Sequence, residues 1–243
     1  MRSIRLIHNP GDLQDIFLTK SQLQLSSVCY LSDMDTLLLC SKGKVPDGET
    51  GEWLIALCRN GTPWNVLQYM KMEAHGSKCF ELIDSRVIIG DDDSSYMELF
   101  HVRSGPRICR QHRILVRESY STFAVKCSNY DLVAMYYDNE SSVRINRLEA
   151  LGVLEELARI RLTIGEDIQV FLLWLGDRLL VAENNLHTDS HNVYELEFNG
   201  TRLERRSEIL KNDGRLLRCW CVVDKGLAII DANKFELLHY TLE

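Results

Sequence analysis

Apolar positions along this chain come in short runs separated by polar turns, and one pairing of runs recurs five times. The tighter member of each pair reads Asp35-Thr-Leu-Leu-Leu-Cys40, Ser85-Arg-Val-Ile-Ile-Gly90, Asp131-Leu-Val-Ala-Met135, Asp177-Arg-Leu-Leu-Val-Ala182 and Lys225-Gly-Leu-Ala-Ile-Ile230. These runs start at 35, 85, 131, 177 and 225, so the steps are 50, 46, 46 and 48 residues. Runs this short, apolar at nearly every position, predict strands buried on both faces. Each follows another apolar stretch, such as Val28–Leu31, Cys79–Ile83, Phe123–Cys127, Val170–Leu175 and Cys219–Val223. The turns between them, among them Ser32–Asp35, Asp84-Ser85 and Gly176-Asp177, carry residues that close hairpins.

A third run in each repeat alternates apolar with polar residues, as in Val193-Tyr-Glu-Leu-Glu-Phe198, and predicts a half-exposed strand. The fourth is the most charged, as in Arg107–Val116 and Leu203–Leu210, which suits an outer edge that must not pair with strangers. Four strands repeated at this period predict the blades of an all-β propeller. The repeats run over about 24–71, 78–117, 122–163, 168–211 and 217–243, in a single domain. The last repeat has no fourth run, and Ser3–His8 has the character of one. The expectation is a five-bladed propeller of four-stranded blades, its ring closed by the N-terminal strand, residues 1–9, in the last blade. The rival is a piece of a six- or seven-bladed ring. Leu148–Ile160 also fits a short amphipathic helix, but Gly152 and the repeat register predict a turn and an outer strand there.

The blade plan resembles that of WD40-like propellers at the level of pattern. No Gly-His dipeptide opens a blade, no Trp-Asp dipeptide ends a third strand, and kelch-type paired glycines are missing. The resemblance therefore implies a fold without site residues, together with the platform role common among such propellers.

Composition narrows the remaining choices. With 45% hydrophobic and 26% charged residues, the chain is ordinary for a globular protein. No stretch is apolar enough to span a membrane, and the N-terminus lacks the apolar core of a secretory signal. The eight cysteines include no Cys-x-x-Cys pair, so reduced thiols and a cytoplasmic or nuclear location are expected. The sequons at Asn60 and Asn199 read as Asn-Gly hairpin turns; a third lies at Asn139.

The loops between second and third strands vary most, and together they carry a net charge of −8 where the whole chain carries −7. An acidic loop face would steer a basic segment of another protein. Its charge partners would be Asp91, Asp92, Asp93, Asp138, Glu140, Glu183 and Asp189, with Tyr96, Tyr136 and Tyr137 supplying contact area. This reading is of a non-enzymatic interaction platform that needs no cofactor and no metal. Asp91–Asp93 lacks the alternate spacing of a calcium loop, and His187 with His191 sits in a loop. Nucleic acid does not suit the net charge, although Arg103, Arg107, Arg110, Arg113 and Arg117 form a basic stripe. The alternative is a carbohydrate- or metabolite-acting propeller with its ligand in the central funnel. Against it stands Glu81, the only carboxylate on the expected innermost strands.

Overall fold

The computed structural model describes residues 22–45, 47–59, 64–73, 78–90, 94–103, 107–127, 131–165, 167–213, 217–223, 226–231 and 237–241. Among the described residues, every regular element longer than a single 3-10 turn is a strand. The chain divides into two compact units, Met1–Asp91 with Tyr96–Leu115, and Asp92–Ser95 with Val116–Glu243.

The first sheet joins β1 (Gln22–Leu31), β2 (Thr36–Lys44), β3 (Thr50–Arg59) and β4 (Trp64–Met72) as an antiparallel meander. The second repeats this order with β5 (Lys78–Glu81), β6 (Arg86–Gly90), β7 (Ser94–Arg103) and β8 (Arg107–Tyr120). Within the first unit the two sheets share a core of Leu31, Leu38, Leu54, Val87, Ile89 and Phe100, all sealed from solvent. The opposite face of the first sheet carries a second cluster around Trp53, Ile55 and Leu57.

In the second unit, β9 (Thr122–Cys127), β10 (Asp131–Tyr137), β11 (Ser142–Leu148) and β12 (Leu154–Arg161) form one sheet. The next contains β13 (Ile168–Leu175), β14 (Arg178–Asn185), β15 (Ser190–Phe198) and β16 (Leu203–Asp213). They share a core built from Ala134, Val143, Ile145, Leu172, Val181 and Tyr194. A three-stranded sheet follows, of β17 (Leu217–Val223), β18 (Gly226–Asp231) and β19 (Leu237–Thr241).

The architecture is all-β and propeller-like, with four complete four-stranded blades, not five. The expectation of a fifth four-stranded blade is corrected by the three-stranded pairing of β17, β18 and β19. The last repeat supplies only three strands, and Ser3–His8, expected to complete it, falls outside the described residues. Strand order within each sheet follows the repeat as the hydrophobic runs predict. β6 and β10 are buried from Val87 to Gly90 and from Asp131 to Tyr137, as strands covered on both faces must be. Residues 154–161 form the outer strand β12, not a helix. Gly152 turns the chain at φ 77°, donating to the Glu149 carbonyl at 2.9 Å, and Leu148 pairs with Leu154.

Turns follow the polar punctuation. Gly176, at φ 58°, closes the two-residue hairpin in which Leu175 pairs with Arg178. The Asn199 carboxamide accepts the Arg202 N–H at 2.9 Å and caps its own turn. Several strands run further into the connections than the sequence suggests. Tyr96, Tyr136, Tyr137 and Glu183 therefore sit on strands β7, β10 and β14.

Candidate functional site

In the second unit the ends of β10 and β14 lie on neighbouring sheets, and both lead into the connections singled out by their acidity. Tyr136 is 2% exposed, and its phenol is hydrogen-bonded with the Ser141 side chain. Burial, followed by the charges of Asp138 and Glu183, pushes the Tyr136 phenol up to about 12. On the next strand of the same sheet, Tyr194 on β15 donates to Glu183 Oε1 at 2.6 Å. Burial first, then this bond to Glu183, raises the Tyr194 phenol far above its ordinary value. The Arg205 guanidinium lies 3.8 Å from the Tyr194 ring centroid and covers its outer side. Two phenols that stay protonated at neutral pH thus flank one carboxylate.

The connection after β10 is a 3-10 turn over Asp138–Glu140, closed by Ser141 at φ 48°. Ser121 donates its hydroxyl to Asp138. Glu140 is committed internally: its Oε2 lies 2.8 Å from Arg144 Nη2 and 3.0 Å from Arg159 Nη1. The bond from Arg144, foremost, holds the Glu140 carboxyl below the usual carboxylate range. Arg144 also meets Glu118 at 2.6 Å and stacks 4.0 Å from the centre of the Tyr137 ring. Tyr137 is 4% exposed, and burial pushes its phenol up to about 12.

The remaining expected residues fall elsewhere. Tyr96, in the first unit, donates to the Glu73 carbonyl at 2.8 Å beneath Arg113, whose guanidinium is 3.8 Å from the ring centroid. Asp189 is exposed in the turn after β14, at φ 48°. Asp91, Asp92 and Asp93 lie outside the described residues. His187 is exposed while His191 is buried on β15, so the two share no face. Among the described residues no group of three His, Cys, Asp or Glu side chains is arranged to hold a metal ion.

Of the ten expected contact residues, the structure brings Tyr136, Asp138 and Glu183 into one cluster and adds Tyr194, Ser141 and Ser121 to it. Sequence reasoning passed over Tyr194, whose alternation on Val193–Phe198 marked it only as a strand residue. It also passed over Arg144, which the same logic placed on a third strand. The basic stripe is likewise spoken for in part. Arg110 Nε contacts Glu98 Oε1 at 2.9 Å and its Nη1 contacts Glu73 Oε1 at 2.9 Å, while Arg113 covers Tyr96. Glu81 remains the sole carboxylate on the described innermost strands; burial, and then the Asp33 charge, raises its pKa.

No protein-family model and no curated protein sequence matches the chain. Solved structures do. A protein from Lactobacillus plantarum matches with a TM-score of 0.61 at 11% identity, over 90% of this chain and 81% of that one. The periplasmic gluconolactonase of Pseudomonas aeruginosa gives 0.58 at 12% identity, with the same two coverages of 90% and 81%. A candidate 6-phosphogluconolactonase from Bacteroides fragilis gives 0.53 at 9% identity, over 88% of this chain and 82% of that one. The likeness is one of fold.

These matches correct the reading of the chain as a non-enzymatic platform, since two of the three neighbours carry the names of enzymes acting on sugar lactones. The structure gives a physical reason too. A docking face needs exposed aromatics and unneutralised acids. Tyr136 and Tyr137 are sealed on β10, and Glu140 already answers two arginines.

Proposed function

We propose that this protein is a hydrolase acting on a carbohydrate-type metabolite, with a cyclic sugar ester as the substrate class. The observation that carries this reading is the fold likeness, over about nine-tenths of the chain, to proteins named gluconolactonase and 6-phosphogluconolactonase. The cluster of Tyr136, Glu183 and Tyr194 supplies groups suited to the reaction. Opening a lactone requires a base that takes a proton from water as it attacks the carbonyl.

Glu183 is the base in this scheme. Tyr194 holds its Oε1 at 2.6 Å and fixes the carboxylate, so Oε2 receives the proton from water. Buried beside the carboxylate, with its phenol pushed up to about 12, Tyr136 stays neutral throughout the physiological range and adds no charge next to Glu183. Water oxygen bonds to the acyl carbon, the ring C–O bond breaks, and the departing alkoxide takes the proton back from Glu183. The product is the open-chain hydroxy acid.

The test is to follow acid release from glucono-1,5-lactone with a pH indicator, against the spontaneous rate. The native protein should accelerate opening, and Glu183→Gln should lower kcat by about 10²-fold or more. Tyr194→Phe, which loosens the carboxylate without removing it, should cost less. Opening at the spontaneous rate, with that lactone and with its 6-phosphate, would overturn the reading.

A further inference from the structure

Three of the eight cysteines converge in the first unit. In the pairing of β1 with β2, Cys29 faces Leu38 and Ser27 faces Cys40. Cys29 and Cys40 are therefore diagonal neighbours on one side of the first sheet, the side that packs on the second sheet. Diagonal positions on adjacent strands stand roughly 7–8 Å apart, too far for their sulfurs to join directly without a shift. Cys79, on β5 of the second sheet, enters the same core between them, and its thiol is within hydrogen-bonding reach of both other sulfurs. Cys79 thus contacts both of the other thiols.

The members differ in character. Cys40 is fully buried, whereas Cys29 on β1 and Cys79 on β5 retain 9% and 7% exposure. The bond between Cys79 and Cys29 is the chief cause that lowers the Cys29 thiol, whereas Cys79 itself is raised well above the ordinary range. A more acidic sulfur with a second thiol in contact meets the requirements of a peroxide-reactive pair. An ordinary core cysteine has no such neighbour.

We infer that Cys29 and Cys79 form a peroxide-sensitive thiol pair whose oxidation ties the first blade covalently to the second. In the first step the Cys29 thiolate attacks hydrogen peroxide. The O–O bond breaks, Cys29 becomes a sulfenic acid and hydroxide leaves. In the second, the Cys79 sulfur attacks the sulfenic sulfur, the S–O bond breaks, and the thiol proton leaves with the oxygen as water. Two thiols are oxidised by two electrons and one peroxide is reduced. Cys40, fully buried and also in reach of Cys79, can accept the crosslink by exchange but does not start the reaction.

The experiment treats the intact folded protein with hydrogen peroxide, blocks residual thiols by alkylation, and maps the products by non-reducing proteolysis and mass spectrometry. The expected result is a peptide joining Cys29 to Cys79, loss of two alkylatable thiols, and full reversal by dithiothreitol. The oxidised form should melt higher by roughly 5 °C or more, because the bond closes a long loop in the unfolded chain. Cys79→Ser should halt at a sulfenic acid on Cys29 that dimedone traps, and Cys40→Ser should leave the 29–79 crosslink intact. If Cys79→Ser does not fold, Cys29→Ser serves as the second variant and should abolish the crosslink. Peroxide that first modifies the exposed Cys127, with Cys29 and Cys79 both recovered as free thiols, would overturn the inference.

Discussion

The contact between Glu98 and Arg110 offers a quantitative test of how the first two sheets are held together. The Glu98 side chain is 2% exposed, and Arg110, 34% exposed, reaches its Oε1 at 2.9 Å. The same guanidinium spans to Glu73 Oε1 at 2.9 Å and to the Lys71 carbonyl at 2.9 Å, so it stitches the end of β4 to β7. Glu98 Oε2 accepts the Glu73 N–H at 3.0 Å. Arg110→Met keeps the stem that covers Phe100 and deletes the charge that neutralises a buried carboxylate. Stripping one partner from a buried pair costs about 3–5 kcal/mol, which the partial exposure of Arg110 reduces to about 2–3 kcal/mol. For a chain of this size that lowers the melting temperature by roughly 4–12 °C. Urea unfolding followed by circular dichroism gives the free energy directly. Glu98→Gln should cost less, about 1–2 kcal/mol, because the guanidinium it abandons still reaches water. The double variant should be milder than the sum of the two by at least ~1 kcal/mol. Strict additivity, or a loss below ~0.5 kcal/mol for Arg110→Met, would refute the view that Glu98 and Arg110 act as one coupled pair beneath the contact with β4.

Other outcomes can be stated briefly. Gly43 sits at φ 139°, where an added Cβ would lie 1.9 Å from the Gln22 carbonyl oxygen, so Gly43→Ala should cost about 2 kcal/mol or more in urea unfolding. Tyr136 and Tyr137 titrate near 12 when folded and at the ordinary value of about 10 when unfolded. The folded chain therefore holds more protons between those values, so stability should be unaffected by these groups below pH 10 and fall as pH rises through 12. Melting temperature measured against pH checks the fall, and tyrosinate absorbance that develops only as the protein unfolds checks its cause. Arg144→Met should unfold the turn that carries Glu140 before the rest of the sheet, and hydrogen exchange at Ser141 and Ser142 should accelerate while exchange in β13 is unchanged.

The strands were readable because a both-faces-buried run leaves a mark at every position, as in Val87-Ile88-Ile89 and Leu179-Leu180-Val181-Ala182. Outer strands were readable from their charge. Strand ends were not. Tyr136 and Tyr137 extend the apolar run of β10, yet their polar tips and the following Asp138 suggested a loop. The neutralisation of the acidic loops was hidden for another reason. Glu118 and Arg144 are 26 residues apart, and Glu140 and Arg159 are 19 apart, so their pairing depends on the fold rather than on spacing. The candidate site was half legible. Tyr136, Asp138 and Glu183 were marked by composition, whereas Tyr194 joins them only because β15 brings it under Glu183. The missing fourth strand of the last repeat was visible in the sequence, and the inference that the N-terminus supplies it rests on residues outside the described set.

Every sheet is assembled from strands consecutive in the chain, and this bears on how the protein is made. A repeat of 46 residues leaves the ribosome in roughly 2–9 s at ~5–20 residues per second. A hairpin closes in ~1–10 μs, so each meander has ample time to pair before the next is translated. Synthesis order therefore becomes folding order. A ribosome pausing between Met72 and Lys78, or between Arg161 and Ile168, leaves a finished sheet behind it. One that stalls inside a repeat leaves a sheet with its next edge bare, the form most open to mispairing with a neighbouring nascent chain.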